Sequence, residues 1–298
     1  MRITNNTLSE GIIRQIQQLG SQQAKLQMQV ATGQRIFQPE DDPTSVGRVL
    51  GLESEQRELT QYTRNADRAL EISLASFSGL QQLKKVSDRA TEIGTLGAGA
   101  ISPDAARAYA SELDQLIEHT LQLANTKLRN DYIFAGTAVD AAPFNATRGA
   151  GGEVTGVAYV GNANRAAVPL SENASITPGT TGSTNTGIAD FLTQLVALRD
   201  ALTTNNSAAV TTAQTGLIAS EDLLVSSLAE HGGVQTRIEA NRSQLLDRAD
   251  TLESLVSAEA DLDLPTTIVR LNQSQTAYQA ALSSGANIMR LSLLDYIR

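Results

Sequence analysis

A chain of 298 residues with a net charge of −9, no cysteine and no tryptophan argues against several classes at once. It offers no basic stripe for nucleic acid, no thiolates for disulfides or a zinc site, and, with aromatics at 4%, little material for a broad globular core. No run reaches the roughly 20 apolar residues of a membrane-spanning helix, and residues 1–19 are too polar for a cleavable secretory leader, so by that logic alone the protein would stay in the cytoplasm.

The length suggests about two domains. The first helical pattern runs from Leu8 to Gly33, where Ile12, Ile16, Leu19, Gln23, Leu26 and Val30 alternate four and three residues apart as a heptad seam. Gly33 suits a helix stop. Gln38 to Pro43 then forms a turn with a restart, Asp42 capping a new helix and Pro43 opening it. A second long helix is predicted from Thr44 to Thr95, ended by the stretch Gly94 to Gly99. Ser102-Pro103-Asp104 opens a third by cap, proline and N-terminal acid, and its pattern runs to Arg129.

From Asp131 to Gly187 the chain turns rich in Gly, Ala, Thr, Asn and Pro. Short β-type runs at Val154 to Val160 and Ala166 to Leu170 predict a small β-rich insertion. Helical pattern returns at Ile188 to Leu202 and at Ser207 to Ala260, with Gly232-Gly233 an expected irregularity. A last helix is predicted from Leu264 to Ile297, with Asp263 as cap. Its expected seam is Leu264, Ile268, Leu271, Gln275, Tyr278, Leu282, Gly285, Met289 and Leu293. The fold class is therefore mainly α: a long-helix coiled-coil bundle formed by both chain ends, with a β-rich domain inserted in the middle. Residues 1–42 and 261–298 would form the terminal coiled coil, 43–135 and 205–260 a central helical bundle, and 136–204 the β-rich outer domain.

The terminal helices carry a contradiction. Leu271 to Met289 holds no charged residue, yet is studded with Asn, Gln and Ser; between Glu10 and Arg35 only Arg14 and Lys25 are charged among eight glutamines. A solvated helix normally carries charge on its outer face, and a membrane helix could not carry so many amides. Burial against other protein on several sides accounts for both, with Ala280, Ala281, Gly285 and Ala286 allowing close backbone approach. The plainer reading is an ordinary two-helix coiled coil with a neutral outer face. Catalytic and metal chemistry find little support: His119 and His231 have no ligand set around them and read as surface or helix-end residues. Glu40-Asp41-Asp42 and Asp261-Leu262-Asp263 precede helices and read as caps rather than calcium ligands. No cofactor and no metal is expected.

Ala31-Thr32-Gly33-Gln34-Arg35-Ile36, followed by Pro39 to Pro43, resembles the signature of the flagellin superfamily. Gln275 to Leu282 and Ser292 to Ile297 are more similar to its hook-associated members than to filament flagellin, as is Asn130 to Thr137 followed by Pro143-Phe144. Gly233 to Glu239 is similar too, with Ile238 where the family has Leu, while Asn162 stands where the family carries Asp. The resemblance implies an extracellular structural role: export unfolded through the flagellar type III channel with an uncleaved signal, assisted by an export chaperone. It further implies self-assembly into a ring-like layer between hook-associated protein 1 and the flagellin filament. A filament flagellin is the near alternative, and an unrelated secreted coiled-coil adhesion or secretion protein the far one. Residues 1–40 and 262–298 are expected to order only on assembly, since one narrow seam is a weak core.

Overall fold

The structure is a computed structural model describing residues 2–99 and 101–296, with side chains described from 10 to 287 except at 100. Among the described residues there are six helices: α1 (Arg2–Thr32), α2 (Pro43–Ala98), α3 (Pro103–Ala124), α4 (Gly182–Thr203), α5 (Ser207–Ala260) and α6 (Leu264–Tyr296). Three antiparallel hairpins lie between α3 and α4: β1 (Lys127–Leu128) with β2 (Asp131–Tyr132), β3 (Phe144–Arg148) with β4 (Val154–Tyr159), and β5 (Val168–Pro169) with β6 (Ser175–Ile176). The mainly helical class with a β-rich insertion is the one the sequence predicts. By compactness the chain divides into one unit of residues 1–58 and 249–298 and a second of residues 59–248.

Helix starts follow local chemistry. The Asp42 carboxylate accepts the Ser45 N–H at 3.1 Å just before Pro43, and Ser102 accepts the Ala105 N–H at 3.2 Å ahead of Pro103. Asp263 accepts the Thr266 N–H at 3.3 Å before α6. Each cap satisfies an otherwise orphaned donor.

Helix ends and interruptions depart from expectation in three places. The third helix stops at Ala124 rather than Arg129, because the Asn125 side chain clamps the backbone of Phe144, donating to its carbonyl at 2.9 Å and accepting its N–H at 3.1 Å. Arg129 then takes a left-handed φ of 58° and turns the chain into the β1–β2 hairpin. The fourth helix begins at Gly182, six residues early, since Thr181 caps it through the Thr184 N–H at 3.1 Å. At Gly232-Gly233 there is no irregularity: α5 runs unbroken through both. Two glycines cost about 2 kcal/mol of helix propensity, and tertiary packing of neighbours such as the fully buried Ile238 outweighs that.

The second unit holds the main core. Leu80, Leu83 and Ile93 of α2 meet Leu113 and Ile117 of α3, Phe191, Leu195 and Leu198 of α4, and Leu217 of α5. Phe134, fully buried, seats its ring over Gly79 of α2, where an added Cβ would lie 2.8 Å from the ring. Arg199, nearly buried, is paired with Asp114 at 3.0 Å and Asp200 at 2.6 Å and donates to the Val154 carbonyl at 2.7 Å. A smaller cluster of Ala66, Ala69, Leu170, Ile176, Ile238 and Leu245 fixes the β5–β6 hairpin on α2 and α5.

Candidate assembly interface

In the first unit α1 and α6 pack antiparallel: Gly285 lies against Ile12 and Ile16, and Gly20 against Tyr278. Ile12, Ile16, Leu19, Gln23, Leu26 and Val30 form the half-buried stripe of α1, as their 4-3 spacing predicts. On α6 the facing stripe is Thr267, Leu271, Ser274, Tyr278, Ala281 and Gly285, also at 4-3 spacing. This corrects the seam read from sequence. Leu271, Tyr278 and Gly285 belong to it, whereas Ile268 and Leu282, each 44% exposed, and Leu264 do not face α1. Close approach contributes at one end: an added Cβ at Gly285 would lie 3.2 Å from both Ile12 Cγ2 and Ile16 Cδ1, so that position takes no larger residue, and Leu282 falls outside the stripe. Met289 and Leu293 lie outside the described side chains.

The helix pair therefore has a covered face and an uncovered one. Leu264, Ile268 and Leu282 recur on one side of α6, and α1 exposes Ile13 and Met28. Between Leu271 and Asn287 α6 carries no charge at all, and between Glu10 and Arg35 α1 adds only Arg14 and Lys25. A long, neutral, partly apolar surface is the signature of a face that meets other protein.

A clasp closes the open end of the pair. The Arg35 N–H donates to the Ala260 carbonyl at 2.7 Å, and the Leu262 N–H to the Gly33 carbonyl at 2.9 Å. Gly33, with φ at 72°, supplies the left-handed turn that brings these groups together. The Arg35 guanidinium donates to the Glu259 carbonyl at 2.6 Å, to Ser45 at 3.3 Å and to Asp42 at 3.4 Å. Ser45 in turn bonds the Glu259 carboxylate at 3.0 Å, and Arg48 pairs with the same carboxylate at 3.0 Å.

Asp41 and Asp42 perform different tasks. Asp41 takes the Lys25 ammonium at 2.5 Å and the Phe37 and Gln38 N–H groups at 3.1 and 3.0 Å, and these bonds hold its pKa down at about 2. Asp42 is held at about 2 by its bonds from Ser45 and then Arg35. Glu40 is exposed. The acidic run is thus a turn and a cap, and among the described residues no cluster of potential metal ligands occurs. His119 is exposed on α3. His231 differs from its reading as a surface residue: it is buried in the middle of α5, with Nδ1 3.4 Å from Ser73 Oγ, and burial pushes its pKa down. Asn162 organises the loop at Thr137, its side-chain oxygen accepting the Thr137 N–H at 3.0 Å and the Asn164 N–H at 3.1 Å. The carbonyl does here what a carboxylate oxygen would do.

Sequence reasoning missed the clasp because Arg35 and Glu259 are far apart along the chain. The α6 stripe forms a second 4-3 series in the chain, in which Thr267, Ser274, Ala281 and Gly285 join Leu271 and Tyr278, and nothing local ranks it above the more aliphatic series.

A pair of terminal helices in one unit, and a helical bundle with a β insertion in the other, is the architecture of a structural subunit of the flagellin type. Residues 3–138 match the bacterial flagellin N-terminal helical region. The chain is 28% identical to flagellar hook-associated protein 3 of Escherichia coli (strain K12), covering 99% of both chains. It is 26% identical to the protein of that name from Salmonella typhimurium, covering 100% of both. Its fold is shared with a putative flagellar hook-associated protein from Vibrio parahaemolyticus, at a TM-score of 0.66 and 17% identity, over 74% of this chain and 100% of that one. The chain is a homologue of flagellar hook-associated protein 3, and its role in the flagellum is structural.

Proposed function

We propose that the chain forms the junction layer of the flagellum, a ring-like homo-oligomer between hook-associated protein 1 and the flagellin filament. The observation that carries this reading is the uncovered outer face of α6, which exposes Leu264, Ile268 and Leu282 and holds no charged residue between Leu271 and Asn287. A lone hairpin of helices gains nothing from Leu264, Ile268 and Leu282 in water, whereas a neighbouring subunit buries them at roughly 25 cal/mol per Å². End-to-end similarity to hook-associated protein 3 favours the junction over the filament itself. On this reading the protein acts by packing, not by catalysis. It reaches the outside of the cell through the flagellar export channel, carried by an export chaperone, and residues 1–40 and 262–298 gain most of their order on assembly. The three-part division into terminal coiled coil, central bundle and outer β domain would then correspond to inner tube, middle shell and exterior.

The test is Leu282→Asp. Leu282 is exposed in the single chain, so the helix pair tolerates an acid there, while an interface burying that acid without a partner does not. The expected result is a secreted protein that fails to build a junction, with flagellin shed into the medium. Normal filaments on L282D hooks would overturn the reading. Gly285→Leu serves as the contrast, since it drives side-chain bulk into Ile12 and Ile16 and damages the pair itself.

A further inference from the structure

The second unit contains a cavity of about 280 Å³ between α2 and the β1–β2 and β5–β6 hairpins. Ile72, Leu128, Tyr132, Ile133, Val168 and the buried Pro178 supply apolar walls. That volume lies just below the roughly 300–1,000 Å³ of small-molecule sites, and apolar walls with a few polar groups are their usual composition.

Five charged residues line the cavity: Arg68, Glu71, Arg129, Asp131 and Arg165. Arg129 is held by Glu71 at 2.7 Å and Arg165 by Glu230 at 3.3 Å. Subtracting these pairs leaves Arg68 of α2 and Asp131 of β2, neither of which has an ion-pair partner among the described residues. Arg129 occupies the hairpin tip in a left-handed conformation, φ 58°, that a non-glycine residue rarely adopts. Backbone strain of this kind concentrates at ligand clamps and active sites.

We propose that this cavity binds a small zwitterion with an apolar body, in the size class of an apolar amino acid. The body fills the space between Ile72, Tyr132 and Val168. Its carboxylate meets the Arg68 guanidinium, which suits a planar anion, and its ammonium meets the Asp131 carboxylate. A simple anion would leave Asp131 facing a like charge, and a simple cation would do the same to Arg68; the uncommitted charges of the lining sum to zero.

The experiment is calorimetric titration of the full chain with three probes of one body: leucine, N-acetyl-leucine and leucinamide. Leucine is expected to bind at least tenfold more tightly than either of the others. Arg68→Ala and Asp131→Asn should each weaken leucine tenfold or more, and Arg68→Lys should restore part of the loss. Ala166→Trp, at an exposed residue of the lining, should abolish binding by filling the space, with the helical circular dichroism of all variants unchanged. Three results would overturn the proposal: no leucine uptake at about 10 mM, well above a millimolar Kd; equal binding of the singly charged probes; or wild-type affinity in R68A, D131N and A166W.

Discussion

The guanidinium of Arg35 donates a hydrogen bond to the main-chain carbonyl of Glu259 at 2.6 Å, tying together residues 224 positions apart. The same arginine reaches Ser45 and Asp42, so one side chain joins the end of α5 to the start of α2 at the base of the α1–α6 pair. Its fork of five donors can serve all three partners, which a lysine ammonium at the same place cannot do in one plane. Arg35→Ala is expected to cost about 1–2 kcal/mol in urea unfolding, the low side for a charged hydrogen-bond hub. The side chain is 42% exposed, and solvent screens the rest. Arg35→Lys should recover less than half of that. Unfolding free energies within error of wild type for R35A would show that the clasp contributes nothing.

The turn ahead of α2 predicts an acid transition. Asp41 and Asp42 are both held at about 2, against an ordinary value of 3.8, the first chiefly by Lys25 and the second chiefly by Ser45. Their folded pKa values are depressed, so the stability they contribute is complete above the unfolded value near 3.8 and drains away as pH falls from there toward 2. An acid titration followed by far-ultraviolet circular dichroism should therefore show a step between about pH 4 and pH 2. The step should shrink in Asp41→Asn and Asp42→Asn, with the larger effect for D41N, because that side chain is only 15% exposed.

Asn162 gives a third test, in the loop of the β insertion between β4 and β5. Its side-chain oxygen accepts from the Thr137 N–H and hydroxyl and from the Asn164 N–H. The loop is tight: Gly136 has φ 69°, and an added Cβ there would lie 2.3 Å from the Asn162 carbonyl oxygen. Asn162→Ala strips the acceptor from three donors and should destabilise the second unit by about 1–3 kcal/mol. Asn162→Asp keeps an oxygen in the same place and should stay within about 0.5 kcal/mol of wild type at neutral pH. Thermal unfolding of both variants separates the outcomes; equal loss in N162A and N162D would mean that shape, not acceptance, is what matters.

How much of this was legible in the chain depends on how local the deciding physics is. Three helix starts were readable because Asp42-Pro43, Ser102-Pro103 and Asp263-Leu264 place cap and first turn side by side, whereas the Thr181 cap of α4 was missed. The Gly33 stop of α1 and the Ala260 end of α5 were readable too, but α3 stops where Asn125 finds Phe144, nineteen residues on, and α5 ignores Gly232-Gly233 because Val234 and Ile238 pack against neighbours. On α1 the half-buried stripe follows the 4-3 series of Ile12, Ile16, Leu19, Gln23, Leu26 and Val30, while Ile13 and Met28 stay exposed. On α6 the same rule misled. The inner face mixes Leu271 and Tyr278 with Thr267, Ser274, Ala281 and Gly285 and leaves Ile268 and Leu282 outside, and that choice is settled only once the partner helix is in place.

His231 makes the fourth prediction, and its sign runs with the aspartates although its chemistry is opposite. The ring is buried in α5 against Ser73 of α2, 3.4 Å from its hydroxyl. Burial lowers its pKa from the ordinary 6.5, and Arg165 lowers it further while Glu230 opposes both. The folded chain therefore keeps the imidazole neutral at pH values where the unfolded chain has already taken up a proton. Stability should accordingly decline as pH falls below 6.5, by up to about 1.4 kcal/mol per pH unit for a single proton. The decline should level off once the folded state protonates as well. Urea midpoints measured at pH 7.5, 6.5 and 5.5 should fall in that order for the wild type. His231→Gln keeps a hydrogen-bonding group opposite Ser73 but cannot titrate, so its midpoint should be flat across the same interval, above the acid step of Asp41 and Asp42. A wild-type midpoint independent of pH, or an unchanged slope in H231Q, would remove His231 as the cause.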